Sequence, residues 1–232
     1  MTREVVRTSN FARDAAEFIL REARSALGQR DEFRIALSGG NTPRQVYQEL
    51  AQIGHELRWE RVCVTFGDER CVPPEHVQSN YRLARESLLS PAVVPDLSVA
   101  RLRGEIEPTL AAQEYEEQLD LMATQRGEMI YRHDLILLGL GDDGHTASLF
   151  PDTAALEEHA RRVVANFVPK LDTWRLTFTL PLINQARRIC FLVNGDKQRD
   201  LIDSVLEGDP ELPASRVSPT AGEITWIIGE GS

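Results

Sequence analysis

Cysteine is scarce in this chain, with three in 232 residues: Cys63, Cys71 and Cys190. An odd number, with no CxxC pair, in a chain far too large to need staples excludes a disulfide framework and offers no metal-ligand spacing. They read as reduced thiols of a cytoplasmic protein. Long apolar runs are also missing. Stretches such as Leu135 to Leu138 and Ile189 to Val193 fall far short of the about 20 residues of a membrane span. The first twenty residues mix Arg, Asp and Glu and hold no apolar stretch before a small-residue cleavage site, so no export signal is expected. Positive charge is in deficit, at 26 Lys plus Arg against 36 Asp plus Glu, a net −10 and a pI near 5.1. Such a surface repels nucleic acid and anionic membranes. No repeat, linker or Ser/Gly-rich hinge divides the chain, which predicts a single domain over residues 1–232.

What is present is an ordinary globular composition, 42% apolar and 27% charged, on a chain long enough to bury a substantial core. Short β-like runs alternate with longer segments of helical period, the pattern of crossover units around a parallel sheet. Strands are predicted at 4–7, 33–37, 62–66, 98–102, 135–138, 162–167, 175–180, 188–193 and 224–228. Helices are predicted at 11–27, with Gly28 as a stop, and from an N-cap at Thr42 with Pro43 in first position and Gln45 as capping-box partner to about Ile53. Further helices are predicted at 79–89, 108–123, 152–159 and 196–206. The fold class is α/β, with a mostly parallel, Rossmann-like central sheet and helices on both faces. Two β-like segments separated by a short polar break within 162–180 predict some antiparallel pairing in the C-terminal half.

Four strand-to-helix junctions carry glycine with polar or charged residues. Ser38-Gly39-Gly40-Asn41-Thr42-Pro43 combines a glycine turn with a helix start, whose unpaired N–H groups and dipole make a phosphate cradle; a plain tight turn is the competing reading. Gly67-Asp68-Glu69-Arg70 offers the guanidinium fork of Arg70 for a phosphate or carboxylate. Gly139-Leu140-Gly141-Asp142-Asp143-Gly144-His145 contains GxGxxG after a strand. Its two internal carboxylates and its place past mid-chain argue against a dinucleotide loop. An imidazole at the carboxyl end of a buried strand, with carboxylates beside it, makes His145 a candidate general base. His55, His76, His133 and His159 lack such a setting and read as structural. Gly195-Asp196-Lys197-Gln198 puts Lys197 in the first turn of a helix, where the dipole disfavours a cation unless solvent or an anionic ligand meets it. A parallel sheet brings all four junctions to one edge, where cations, a helix N-terminus, an imidazole and carboxylates would suit a small phosphorylated substrate.

With these residues in place, the chain resembles the 6-phosphogluconolactonases of the oxidative pentose phosphate pathway over nearly its whole length. The matching stretches are Leu37 to Pro43, Asp68-Glu69-Arg70 followed by Ser79-Asn80-Tyr81, Gly141 to Pro151, and Leu212-Pro213-Ala214-Ser215. The related glucosamine-6-phosphate deaminases share the glycine turn, an Asp-Glu pair and Gly-x-Asp-Gly-His. They typically continue towards Ile-Ala-Phe-Asn-Glu-Pro, whereas this chain has Thr146-Ala147-Ser148-Leu149-Phe150-Pro151, and Arg70 stands where deaminases usually place a tyrosine. Asn41 replaces the serine common in the family's glycine turn.

The resemblance implies hydrolysis of 6-phospho-D-glucono-1,5-lactone to 6-phosphogluconate with neither metal nor organic cofactor. It implies His145 as the base, oriented by Asp143, and a phosphate held by Gly39, Gly40, Asn41, Thr42, Arg70, Lys197 and Gly144, with Asp68, Arg44 and Asp142 as supporting residues. Ser38 lacks the flanking glycines of an esterase nucleophile, and Cys71 has no histidine at recognisable spacing, so neither is assigned that role. A deaminase or isomerase on an amino-sugar phosphate and a non-enzymatic sugar-phosphate sensor are the competing functions. The sensor lacks a basic arm or helix-turn-helix segment before residue 33. The expected partner is a small sugar-phosphate lactone, with no nucleic acid and no membrane, bound by a monomer or weak homodimer.

Overall fold

The computed structural model describes residues 3–195 and 199–230. Its strands are β1 (Arg3–Thr8), β2 (Phe33–Leu37), β3 (Val62–Phe66), β4 (Asp68–Arg70), β5 (Leu135–Leu138), β6 (Val163–Val168), β7 (Thr173–Phe178), β8 (Arg188–Asn194) and β9 (Glu223–Gly229). The helices are α1 (Phe11–Arg30), α2 (Asn41–Ile53), α3 (Asn80–Ala84), α4 (Pro108–Thr124), α5 (Leu180–Ile183) and α6 (Arg199–Glu207). None of the described helices is long and apolar enough to cross a membrane.

Six strands form a sheet in the order β1-β9-β8-β5-β2-β3, with every neighbouring pair parallel. The inner strands read as unbroken apolar runs because both faces are covered; all four residues of β5, Leu-Ile-Leu-Leu, are buried. α1 and α2 pack side by side against this sheet. The chain leaves β2 outward to β3, whereas β5 leads the other way to β8 and β9, so the strand order reverses between β2 and β5. A crevice outside the carboxyl ends of the strands follows from that reversal.

A second sheet, β4-β7-β6, is antiparallel throughout and carries α4. It supplies the antiparallel pairing expected of the C-terminal half. Gly67 joins the sheets, donating its N–H to Leu37 O at 2.9 Å and accepting from Phe178 N at 2.8 Å.

Local departures from the expected elements have physical causes. Residues 98–102 form no strand: Asp96–Ser98 is a helical turn and Val99 makes a single bridge to Val64. Ala100 then bonds Tyr115 Oη of α4, and the chain turns at Gly104, whose absent Cβ would strike Arg70 O at 2.2 Å. In place of a helix at 152–159 there is only the turn Ala154–Glu157, preceded by Asp152 at φ 60°. α1 runs through Gly28 to Arg30, where its cap Asp31 adopts the left-handed conformation itself. α2 starts two residues early, at Asn41, with Gly40 at φ 107° as its cap in place of Thr42. The helix predicted from Asp196 begins among residues outside those described; α6 starts at Arg199.

Candidate active site

The carboxyl ends of β2, β3, β5 and β8 open into a cavity of about 840 Å³. Its wall is made by Ser38 to Pro43 after β2, Asp68 and Arg70 of β4, Gly139 to Asp142 and His145 to Ser148 after β5, and Leu192 to Gly195 at the end of β8. The second sheet adds Lys170, Leu171 and Arg175 from the side.

The loop after β5 shapes the surroundings of His145. Gly141 N donates to His145 O at 2.9 Å and Gly144 N to Gly141 O at 2.9 Å, folding the loop back on itself. A Cβ on Gly141 would stand 2.0 Å from the His145 ring, so only glycine leaves the imidazole its place. His145 Nδ1 lies 2.5 Å from Asp143 Oδ1. The carboxylate accepts the Nδ1 proton, which leaves Nε2 as the basic nitrogen. The ring stacks on Phe150, centroids 4.0 Å apart. Burial holds the His145 pKa below the ordinary histidine value; Asp68 and Asp142 pull it up, and Arg175 and Arg70 push it down.

Gly144, grouped by the sequence with the phosphate contacts, lies off the cavity lining. It has φ 77°, a Cβ there would meet Leu212 Cδ2 at 2.7 Å, and its carbonyl accepts from Ala214 N at 3.0 Å. The Leu212 to Ser215 stretch therefore buttresses the His145 loop from behind.

Asp68 is buried, accepting from Ser148 Oγ at 2.8 Å and from Asn80 Nδ2 at 3.0 Å. Glu69 faces away from the cavity and serves the fold. Its carboxylate accepts from the backbone N–H groups of Asn80, Tyr81 and Arg70 and from Ser79 Oγ. Asn80, fixed in this way, lies over Gly39, where a Cβ would fall 1.8 Å from Asn80 Oδ1. The glycine turn, β4 and α3 thus interlock.

Arg70 donates to Gln78 O at 2.6 Å and is paired in register with Arg175 across β4 and β7. Two guanidinium groups placed opposite one another repel. Burial and the nearby Arg70 both lower the Arg175 pKa. An anion between them would remove that penalty. Asn41, Thr42 and Gly40 line the cavity beside this pair, Arg44 does not, and Asp142 sits at the exposed rim. Lys197 lies outside the described residues.

Sequence reasoning missed Arg175 and Lys170. Lys170 donates to Asp143 Oδ2 from the turn between β6 and β7. The available signal was weak: single cations in or beside a β-like run, in an antiparallel hairpin that the parallel-edge argument did not cover. Ser38 Oγ is buried without a hydrogen-bond partner, while Tyr47 Oη bridges the Ser38 backbone. Burial pushes the Cys71 thiol up to about 11, so it is no thiolate nucleophile at neutral pH. Among the described residues, no group of His, Cys, Asp or Glu is arranged to hold a metal ion.

The model of the glucosamine-6-phosphate isomerases/6-phosphogluconolactonase family matches residues 7–226. The 6-phosphogluconolactonase of Synechocystis sp. is 39% identical over 208 residues, covering 88% of this chain and 85% of the relative. The human 6-phosphogluconolactonase is 34% identical over 227 residues, with 94% and 86% covered. Among solved structures, 6-phosphogluconolactonase from Thermotoga maritima superposes with a TM-score of 0.87 at 27% identity, covering 99% of this chain and 100% of that one. The enzyme from Trypanosoma brucei does so with a TM-score of 0.85 at 28% identity, over 98% and 95%. Family model, curated relatives and structural likeness agree: the chain belongs to the glucosamine-6-phosphate isomerase/6-phosphogluconolactonase family.

Proposed function

We propose that this chain hydrolyses 6-phospho-D-glucono-1,5-lactone to 6-phosphogluconate, as the cytoplasmic lactonase of the oxidative pentose phosphate pathway. The observation that carries the reading is His145, depressed in pKa by burial and oriented by Asp143, in a cavity that also holds the Arg70–Arg175 pair. A lactone is an activated ester and needs a positioned water, a base that is neutral at working pH, and donors for the developing oxyanion.

Neutral His145 takes a proton through Nε2 from a water as its oxygen attacks C1. The C1 to ring-oxygen bond then breaks, and the imidazolium returns its proton to the departing oxygen. Asp143 keeps the required tautomer and balances the transient imidazolium. The phosphate, remote from the reacting carbon, is anchored by the backbone from Gly39 to Thr42 with Arg70 and Arg175, and its binding energy fixes the orientation of C1. Lys197 joins these phosphate contacts on sequence grounds.

The test is the decay of freshly generated 6-phosphogluconolactone with and without protein. Acceleration well above spontaneous hydrolysis is expected, and decay at the buffer rate would refute the proposal. Ammonia release from glucosamine-6-phosphate at an enzymatic rate would assign the chain to the deaminase activity instead.

A further inference from the structure

Lys170 sits in the turn Pro169–Leu171 at the tip of the β6–β7 hairpin. It is one of only two lysines in the chain, against 24 arginines. Arginine supplies the cations of surface ion pairs such as Arg13–Glu17 and Arg101–Glu105. At Asp143 the chain uses the compact ammonium instead, which fits beside a carboxylate already engaged on its other oxygen.

The Lys170 ammonium donates to Asp143 Oδ2, while Oδ1 serves His145 Nδ1. Its nitrogen also stands 4.8 Å from the centroid of the Phe150 ring on which His145 stacks. Lysine and histidine thus share one carboxylate and one aromatic ring. A carboxylate held at one oxygen alone rotates about its terminal torsion; held at both, it presents a fixed acceptor to the imidazole. We infer that Lys170 is a positioning residue, which locks Asp143 against His145 and ties the base to the β6–β7 hairpin. The inference rests on the reading of His145 as the base.

The charged groups facing His145 are Asp68 and Arg70 from β4, Asp142 and Asp143 from its own loop, Arg175 from β7 and Lys170 from the hairpin turn. Removing the lysine charge leaves the carboxylates less opposed, and the imidazolium gains. Lys170→Met keeps the apolar stem over Phe150 and deletes the charge.

The experiment follows the His145 imidazole proton signal by NMR through a pH titration, alongside steady-state lactonase kinetics. In Lys170→Met the titration is expected to move upward by about half a pH unit, a fraction of what a fully buried charge produces. kcat is expected to fall about tenfold, a part of the roughly 10²–10⁴ that a positioned base contributes, with KM within about twofold. Lys170→Arg should return the titration to the wild-type value. An unmoved titration overturns the inference, as does a raised KM with unchanged kcat, which would make Lys170 a substrate contact. Because the side chain is half exposed, the fold should survive; should the methionine variant not fold, Lys170→Gln carries the same comparison. The titration reads the coupling even in a chain that hydrolyses no lactone, so failure of the proposed function and failure of this inference are separable.

Discussion

At the residue scale the proposed chemistry converges on His145. Replacement by alanine should cut kcat by roughly two to four orders of magnitude, the range for loss of a general base; an unchanged kcat would remove it from the mechanism. Gly141→Ala is a sharper test, because the new methyl would occupy the ring position itself. It should cost nearly as much activity as His145→Ala while the thermal midpoint falls by only a few degrees, since the loop is open to solvent on one side. A fully active Gly141→Ala enzyme would mean that the ring does not work from the position described. The proposed base must be neutral to act, and burial depresses the His145 pKa. kcat/KM should therefore rise with pH and reach its plateau with an acid limb below about 6.5, the ordinary histidine value. A limb centred above 7 would contradict that environment.

Among the elements, α3 shows how a short helix is held by chemistry outside itself. Its first N–H groups have their acceptor in the Glu69 carboxylate, and Ser79 Oγ accepts from Arg82 N. Glu69→Ala strips the acceptor from three backbone donors and a hydroxyl in a buried place. It should cost about 2–4 kcal/mol, measurable by urea unfolding, and should loosen Asn80 over Gly39; a loss below about 0.5 kcal/mol would show that water replaces the carboxylate. This role was hidden in the sequence, where Asp68-Glu69-Arg70 reads as one polar cluster. A strand alternates its side chains, so Asp68 and Arg70 face the cavity and Glu69 turns inward. The parallel sheet and the edge bearing the four glycine junctions were legible, because crossover units alternate short apolar runs with segments of helical period and gather strand ends on one side. Lys170 and Arg175 were not, since they enter sideways on an antiparallel hairpin whose register only tertiary packing sets. Apolar residues at 98–102 misled in the opposite direction: Ala100 and Leu102 are buried, and Tyr115 of α4 donates to Ala100 O, with one bridge in place of a ladder.

For the whole molecule, a net charge of −10 coexists with a cavity carrying Arg70, Arg175 and Lys170, so the field felt by a small anion is local while the bulk surface repels long polyanions. Global stability has its own pH sensor, away from that cavity. His133 is buried, Thr65 Oγ1 spends its proton on Ile35 O and accepts from His133 Nε2, and burial lowers the pKa to about 3. Below pH 6.5 the unfolded chain binds a proton there that the native state refuses until about 3. Stability is thus lost as pH falls through that window, by up to about 1.4 kcal/mol per pH unit. Urea unfolding at pH 7 and pH 5 should show this loss, and His133→Gln should reduce the difference; equal losses in both proteins would exclude His133 as the source. The strand order has a last consequence, for assembly. β1 pairs with β9, so β1, made before the other described strands, must wait, unpaired, until β9 leaves the ribosome. β3 and β5 can each add to β2, on opposite sides of it, β8 can add to β5 and β9 to β8, each to a neighbour already synthesised. β1 then closes over the outer edge of β9 like a latch. Until it does, β9 offers a naked strand edge to any other nascent chain, which makes the final strand pairing the step at which folding and aggregation compete.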